Sequence, residues 1–179
     1  MFNRKASDPK NKPDEILKVL ALQEGQQVAD VGAGGGYFVL QFAKTIGIEG
    51  RVFAVDTNPE FLEFIKNNAR EKGLVNVETV LAEKDRPTLP RKSLDLVFMR
   101  NVCHHLRNRV EYFEKLKDSL KPEGRIAIIE YISGGRFSFR GIFGHYIPKD
   151  TIIKEMKEAG YKLERDLNFL PAQSFTIFT

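Results

Sequence analysis

A single cysteine, Cys103, serves the whole 179-residue chain, which excludes an internal disulfide and any thiolate cluster for zinc or iron–sulfur. No stretch of about 18 apolar residues runs without a charge, so no membrane-spanning helix is expected. The N-terminal residues lack the apolar stretch of a secretory signal, and a cytoplasmic location is the expectation. Repeats and low-complexity linkers are absent as well. Excess charge of one sign is small: the net charge is +4, and Arg4, Lys5, Lys10 and Lys12 against Asp8 supply most of it. The rest of the chain is nearly neutral, so nucleic acid is not the expected partner. Residues 1–12 read as a flexible basic segment. Residues 13–179 read as one domain, large enough to bury a core without a staple.

What the chain does have is an alternation of short β-rich apolar runs with helical patterns, which argues for an α/β fold. The runs Gln27 to Val31, Arg51 to Val55, Val75 to Leu81, Leu94 to Met99 and Arg125 to Tyr131 read as five strands buried on both faces. Phe61, Leu62, Phe64, Ile65 and Ala69 repeat at helical spacing, with Pro59 at the first turn and Gly73 as a C-cap. Leu106, Val110, Phe113, Leu116 and Leu120 predict a second helix, ended by a turn at Lys121-Pro122-Glu123-Gly124. After residue 132 a Gly/Arg/Phe loop leads to a helix around Asp150 to Ala159. Two extended runs follow, Tyr161 to Phe169 and Gln173 to Phe178. Their short connection at Leu170-Pro171 permits only antiparallel pairing.

Between the first strand and the first helix lies Asp30-Val31-Gly32-Ala33-Gly34-Gly35-Gly36. Glycines there let the backbone turn sharply and approach a ligand closely. A dinucleotide turn would need a third glycine at position 37, where Tyr37 stands. The pattern is D-x-G-x-G-x-G instead. The acid before the turn suits a ligand with an amino group and a sulfonium charge, whereas a pyrophosphate would be repelled. Asp56 ends the second strand, where a carboxylate can accept hydrogen bonds from both hydroxyls of a ribose. Taken alone, Asp56 also reads as an acid at the start of the helix that begins near Pro59.

On these residues the chain resembles the class I S-adenosylmethionine-dependent methyltransferases, of the small type that includes the ubiquinone C-methyltransferases. Val28 to Phe38 is similar to the family's first motif and Ala54 to Asp56 to its second. Leu94-Asp95-Leu96-Val97 resembles its fourth-strand motif, and Leu120 to Arg125 its entry to strand five. Glu123 departs from the family, which usually has a second glycine there. The resemblance implies a Rossmann-like, doubly wound seven-stranded sheet in the order 3-2-1-4-5-7-6 with strand 7 antiparallel. It also implies S-adenosylmethionine as cofactor, S-adenosylhomocysteine as product and a small-molecule methyl acceptor as partner. Cofactor contacts are then expected from Asp30, Gly32, Ala33, Gly34, Gly36 and Tyr37, from Asp56 and Thr57, and from Arg100 and Asn101. An adenine contact is expected after strand three, from Glu83 or, second, Asp85.

The polar group Met99 to Leu106 falls at the carboxyl edge of the sheet beside the glycine turn and should face the transferred methyl. Methyl transfer is an in-line displacement in which positioning alone can supply about 7–11 kcal/mol. Where the acceptor carries a proton, a histidine could remove it. His105 and His104 are the candidates; consecutive helical residues point about 100° apart, so one should be structural. We place His105 on the acceptor side and His104 at the cofactor rim. His145, in Gly144-His145-Tyr146, is a third candidate that could reach the same site. No metal is expected. The loop 134–144, with Arg136, Arg140, Phe137, Phe139 and Phe143, reads either as a lid over the acceptor or as a loop ordered by its own aromatics.

Rival readings are methylation of RNA or protein, a non-catalytic cofactor-binding scaffold, and an NAD-dependent dehydrogenase. Arg100-Asn101-Val102-Cys103 stands where base amino-methyltransferases carry an Asn-Pro-Pro-Tyr type motif, and the several cysteines expected of arsenite methyltransferases are missing. Monomer and homodimer are both open.

Overall fold

The computed structural model describes residues 3, 6–83, 88–132 and 146–179. Seven strands form one sheet: β1 (Gln27–Val31), β2 (Arg51–Asp56), β3 (Val77–Leu81), β4 (Leu94–Arg100), β5 (Leu120–Tyr131), β6 (Leu163–Leu167) and β7 (Gln173–Phe178). Their order is β3-β2-β1-β4-β5-β7-β6, as the family resemblance implies. β1 to β5 run parallel, and β7 is antiparallel to both β5 and β6. Among the described residues five α-helices flank the sheet: α1 (Pro13–Leu20), α2 (Tyr37–Ile46), α3 (Pro59–Glu71), α4 (Arg109–Leu116) and α5 (Lys149–Glu158).

Alternation along the strands divides the core into two layers. Val28, Ala54, Leu96, Phe98 and Ile129 meet α1, α2 and α3 through Ile16, Leu20, Phe38, Phe42 and Ile65. Ala29, Val31, Val97, Met99 and Ile128 meet α4 and α5 through Phe113, Leu116, Ile152 and Met156. Phe98 is fully buried and touches Phe38 and Phe42 with ring centres 4.9 and 5.3 Å away. Truncating it to alanine would cost about 3–5 kcal/mol. A polar residue in this layer is Asp30, which shares the face of Val28 because it lies two residues on.

Several sequence expectations need correction. β3 is not buried on both faces: it starts at Val77, two residues later than expected, and as an edge strand it leaves Leu81 57% exposed, with Val75 before it 82% exposed. Phe64 is half exposed; the buried face of α3 is Leu62, Ile65 and Ala69. The second helix is shorter than its apolar spacing suggested. α4 ends at Leu116, a 3-10 turn follows over Lys117–Ser119, and Leu120 already pairs with Leu94. β5 therefore begins before the expected turn at Pro122, and its register jumps from Leu120 to Arg125 while β4 advances from Leu94 to Leu96. The Pro-Gly segment is a bulge inside the strand and does not precede it. Similarly, β6 is limited to Leu163–Leu167.

Loops at the amino-terminal edge are tied down by side chains. Asn76 donates from Nδ2 to Ala43 O (2.8 Å) and Gly47 O (2.7 Å), which satisfies the carbonyl end of α2. Within the first dozen residues, a 3-10 turn over Pro9–Asn11 is capped by Asp8, Ala6 packs on the α1–α2 layer, and the Asn3 side chain lies against Gly35. Among the described residues no helix is long and apolar enough to cross a membrane.

Candidate functional site

β1 delivers Val31 to the carboxyl edge, and the chain then turns through Gly32 (φ 76°), Gly34 (φ 52°) and Gly36 (φ 75°) before α2. These left-handed conformations are strained for any residue with a Cβ. Space excludes a Cβ as well. At Gly32 it would sit 2.7 Å from Val102 Cγ2, and at Gly36 2.5 Å from Ile65 Cγ1. The turn is bound to the tip of β2: Gly32 N–H and Ala33 N–H both donate to Val55 O, at 2.8 and 3.1 Å. Gly34 N–H donates to Asp56 Oδ2 at 2.8 Å, and Asn58 N–H to Asp56 Oδ1 at 2.9 Å. Two of the roughly four lone-pair sites of this carboxylate are thus spent on orientation. The others remain for a ligand. Asn58, unremarked in the sequence, caps α3 by accepting from Glu60 N–H at 2.8 Å.

Asp30 is 4% exposed, and its pKa is raised to about 7, chiefly by burial and then by the Asp56 charge, while Arg100 pulls it down. A buried carboxyl at the edge of neutrality is poised to ionise beside a cation. Tyr37 begins α2, with its hydroxyl pKa raised by burial and by Asp14 against an opposing effect from Arg100. Thr57 and Glu83 are exposed at the ends of β2 and β3. Asp85, the second choice for adenine, lies outside the described residues, as do His145 and the loop 134–144.

On the β4 side, Asn101 adopts a left-handed backbone (φ 55°). Its N–H donates to Ile129 O at 2.8 Å, and its Oδ1 accepts from Gln173 Nε2 at 2.7 Å. Arg100 turns onto the α2 layer, its guanidinium carbon 5.2 Å from the Phe38 ring centre. The histidines occupy a 3-10 turn, Cys103–His105, not the start of an α-helix, and their rings meet at 4.1 Å between centroids. The helical premise for separating them therefore does not apply. His104 Nδ1 lies 2.9 Å from Glu130 Oε1, with side chains 6% and 0% exposed. Against an ionised carboxylate Nδ1 must carry the proton. His105 is exposed. Cys103 is sealed, and burial pushes its thiol well above the usual range, which suits packing and not nucleophilic attack.

Glu130 and Gln173 are site residues that sequence reasoning missed. The signal for Glu130 was available: a lone carboxylate closing the apolar run Ile126 to Ile129, the same pattern that marked Asp30. Gln173 carries no such signal, because its position beside Asn101 depends on strand order. Two surface hollows, one near Gln27, Arg51 and Glu78 and one near Lys92 and Tyr161, lie at the opposite edge of the sheet. They are shallow and carry none of this chemistry. Among the described residues no cluster suited to a metal ion occurs.

A family model for the methyltransferase domain matches residues 22–161. Aklanonic acid methyltransferase of Streptomyces sp. strain C5 is 30% identical over 64% of the chain and 53% of its own length. Demethylmenaquinone methyltransferase of Listeria welshimeri is 29% identical over 75% of the chain and 58% of its own length. The chain thus spans about half the length of the curated relatives it matches. A solved S-adenosylmethionine-dependent methyltransferase from Aquifex aeolicus superposes with a TM-score of 0.86 at 26% identity, covering 99% of this chain and 96% of that one. With the glycine turn, the acidic tip of β2 and the sheet order already in place, these matches show that the chain belongs to the class I S-adenosylmethionine-dependent methyltransferase family.

Proposed function

We propose that the protein transfers a methyl group from S-adenosylmethionine to a small-molecule acceptor by in-line displacement, in the cytosol. The observation that carries this reading is the hydrogen bond from Gly34 N–H to Asp56, which locks the cradle to the carboxylate meant for the ribose. The fit to the nucleoside is chemical as well as steric. Asp56 retains acceptor sites for two hydroxyls, Asp30 supplies a carboxylate for a cationic centre, and the glycines leave a bare backbone over which the ligand can lie. When bound, the cofactor would supply an activated methyl on a sulfonium centre.

The chain's own task is then to hold and orient. Asp30, Gly32, Ala33, Gly34, Gly36 and Tyr37 would form the floor, Asp56 and Thr57 the sugar site, Glu83 the adenine rim, and Asn101 the edge toward the methyl. His105, exposed and in ring contact with His104, is the candidate base for an acceptor that loses a proton, a role worth roughly 10²–10⁴ in rate. His104, sealed and held by Glu130, would position it. A small acceptor is favoured over nucleic acid because the basic charge is concentrated in the first dozen residues. One relative, from Halobacterium salinarum, is an arsenite methyltransferase at 27% identity over 79% of this chain and 39% of its own length. The single buried thiol here disfavours that acceptor.

Calorimetry with S-adenosylhomocysteine tests the cofactor half. Wild type should bind, and Asp56→Ala should weaken binding by about 10- to 100-fold. No measurable affinity in wild type would end the reading. Methylated product across a panel of small acceptors, lost in His105→Ala and retained in part by His104→Ala, tests the rest.

A further inference from the structure

Arg100 closes β4 with a guanidinium that the fold does not satisfy. Nη2 donates to Gln173 Oε1 at a long 3.4 Å. Nε and Nη1 are sealed from water and have no hydrogen-bond partner among the described residues. Asp30 is near enough to perturb Arg100 electrostatically, yet it accepts from neither of these atoms. Buried donors left idle on a charged group are costlier than neutral ones. The protein does complete such groups where the purpose is structural: Arg109 meets Glu155 through Nε and Nη2, each at 2.6 Å, and so joins α4 to α5. Arg100 has no equivalent. Its side chain is only partly exposed and is held in place by the Phe38 ring and Gln173, so outward rotation into water would give up both contacts.

Position says which chemistry would complete the guanidinium. The sugar carboxylate, Asp56, ends β2, and the glycine turn follows β1, so a nucleoside bound there presents its reactive end toward β4. Beyond it lie β5 and β7, the strands of Tyr131 and Gln173. Tyr131 perturbs the Arg100 guanidinium more than any other charged or polar group near it. The Phe38 ring lies against the cation, and Tyr37 and Tyr131 are near enough to act on it electrostatically, an environment that suits a flat organic anion better than a hydrated inorganic one. We propose that Arg100, with Gln173 beside it, is an oxyanion subsite for the methyl acceptor, and that the acceptor is an aromatic or conjugated small molecule carrying a carboxylate or an ionised phenol or enol. The assignment rests on the cofactor reading above and moves Arg100 from the cofactor to the acceptor.

The competing source of the same chemistry is the carboxylate of the cofactor's own amino-acid end, and the test separates the two. Benzoate and its neutral analogue benzamide are titrated into the protein saturated with S-adenosylhomocysteine. Benzoate should bind about tenfold or more tightly than benzamide. Arg100→Gln should remove that preference while changing nucleoside affinity by less than about threefold, and Arg100→Lys should keep most of it because the charge survives. Circular dichroism of both variants checks folding. Equal binding of the two probes overturns the proposal. So does an Arg100→Gln variant that loses about tenfold in nucleoside affinity with benzoate unchanged, which would return Arg100 to the cofactor. If wild type binds no nucleoside, the cofactor reading fails separately, and the same benzoate titration run without nucleoside still decides the role of Arg100.

Discussion

The two halves of the carboxyl edge are built differently. On β1 and β2 the turn and the Asp56 carboxylate close a hydrogen-bonded loop on each other. On β4, β5 and β7 lie all the buried side-chain polar atoms found without a partner among the described residues: Arg100 Nε and Nη1, Glu130 Oε2 and Thr176 Oγ1. A half that is complete in itself can bind the same cofactor in many enzymes. A half with unmet donors and acceptors awaits something specific. On the reading proposed above, the common chemistry falls on one side and the choice of substrate on the other.

The strongest way to break this contrast is through Asp30, a carboxyl of the first half that burial holds against its charge. Its pKa is 3.8 when free and about 7 in the fold, a difference equivalent to about 4 kcal/mol. Because the folded value is the higher, the native state holds a proton that the unfolded chain has released between these limits. The corresponding stability is fully present below about pH 4 and is lost as pH rises through about 7. Asp30→Asn should therefore be more stable than wild type at pH 8 and lose that advantage at pH 4. Urea unfolding of both proteins at the two pH values reads the difference directly. An advantage independent of pH would mean that Asp30 is not strained, and the first half would then be wholly satisfied. A cationic ligand should reverse the penalty, so the substitution should also weaken binding of S-adenosylmethionine more than that of uncharged analogues.

Next in size is Gly32→Ala. The added Cβ meets Val102 at 2.7–2.8 Å in a left-handed backbone, and we expect a loss of about 3 kcal/mol with binding of the nucleoside abolished. The variant Gly32→Ala/Val102→Ala separates the two causes. Relief of the clash should restore part of the stability in thermal unfolding, while the backbone strain stays. Full recovery would show that the turn needs space and not glycine.

Much of the first half was legible in the sequence because its information is local. Seven consecutive residues spell the turn, and Asp56 is found by counting to the end of the next apolar run. The strand order and the reversed β7 followed from the same runs together with the family resemblance. The second half is non-local. Arg100 could be placed at the edge, but its contact with Gln173 spans 73 positions and that of His104 with Glu130 spans 26. Neither follows from spacing. Element ends were missed for a related reason: Leu120 fits a helical repeat, yet the pairing with Leu94 draws it into β5. Tertiary pairing outweighs propensity there.

Glu130 sharpens the contrast from the other side. Its Oε1 serves both His104 Nδ1 and Tyr131 N–H, at 2.9 and 3.0 Å. Glu130→Leu should cost about 2 kcal/mol, because two buried donors lose their acceptor. Glu130→Gln keeps a carbonyl oxygen for both and should cost about half as much. Equal unfolding midpoints for the two variants would detach Glu130 from His104. Because the pair fixes a ring and not the cofactor, S-adenosylhomocysteine affinity should stay within about threefold in both variants, with any kinetic loss confined to turnover.

The smallest effect, and the most discriminating, concerns Asn101 at the seam between the halves. Asparagine tolerates its left-handed backbone better than most residues, though less well than glycine. Asn101→Gly relieves that strain but takes the 2.7 Å acceptor away from Gln173 Nε2, two changes of about 1 kcal/mol each and opposite sign. Stability should barely move. Asn101→Ala keeps the strain and loses the acceptor, so it should be about 1–2 kcal/mol less stable than wild type. A loss of that size in the glycine variant would mean that the side-chain contact alone sets the geometry of the seam. Stabilisation by glycine would mean that the conformation, maintained against its own cost, is what the site requires of this position.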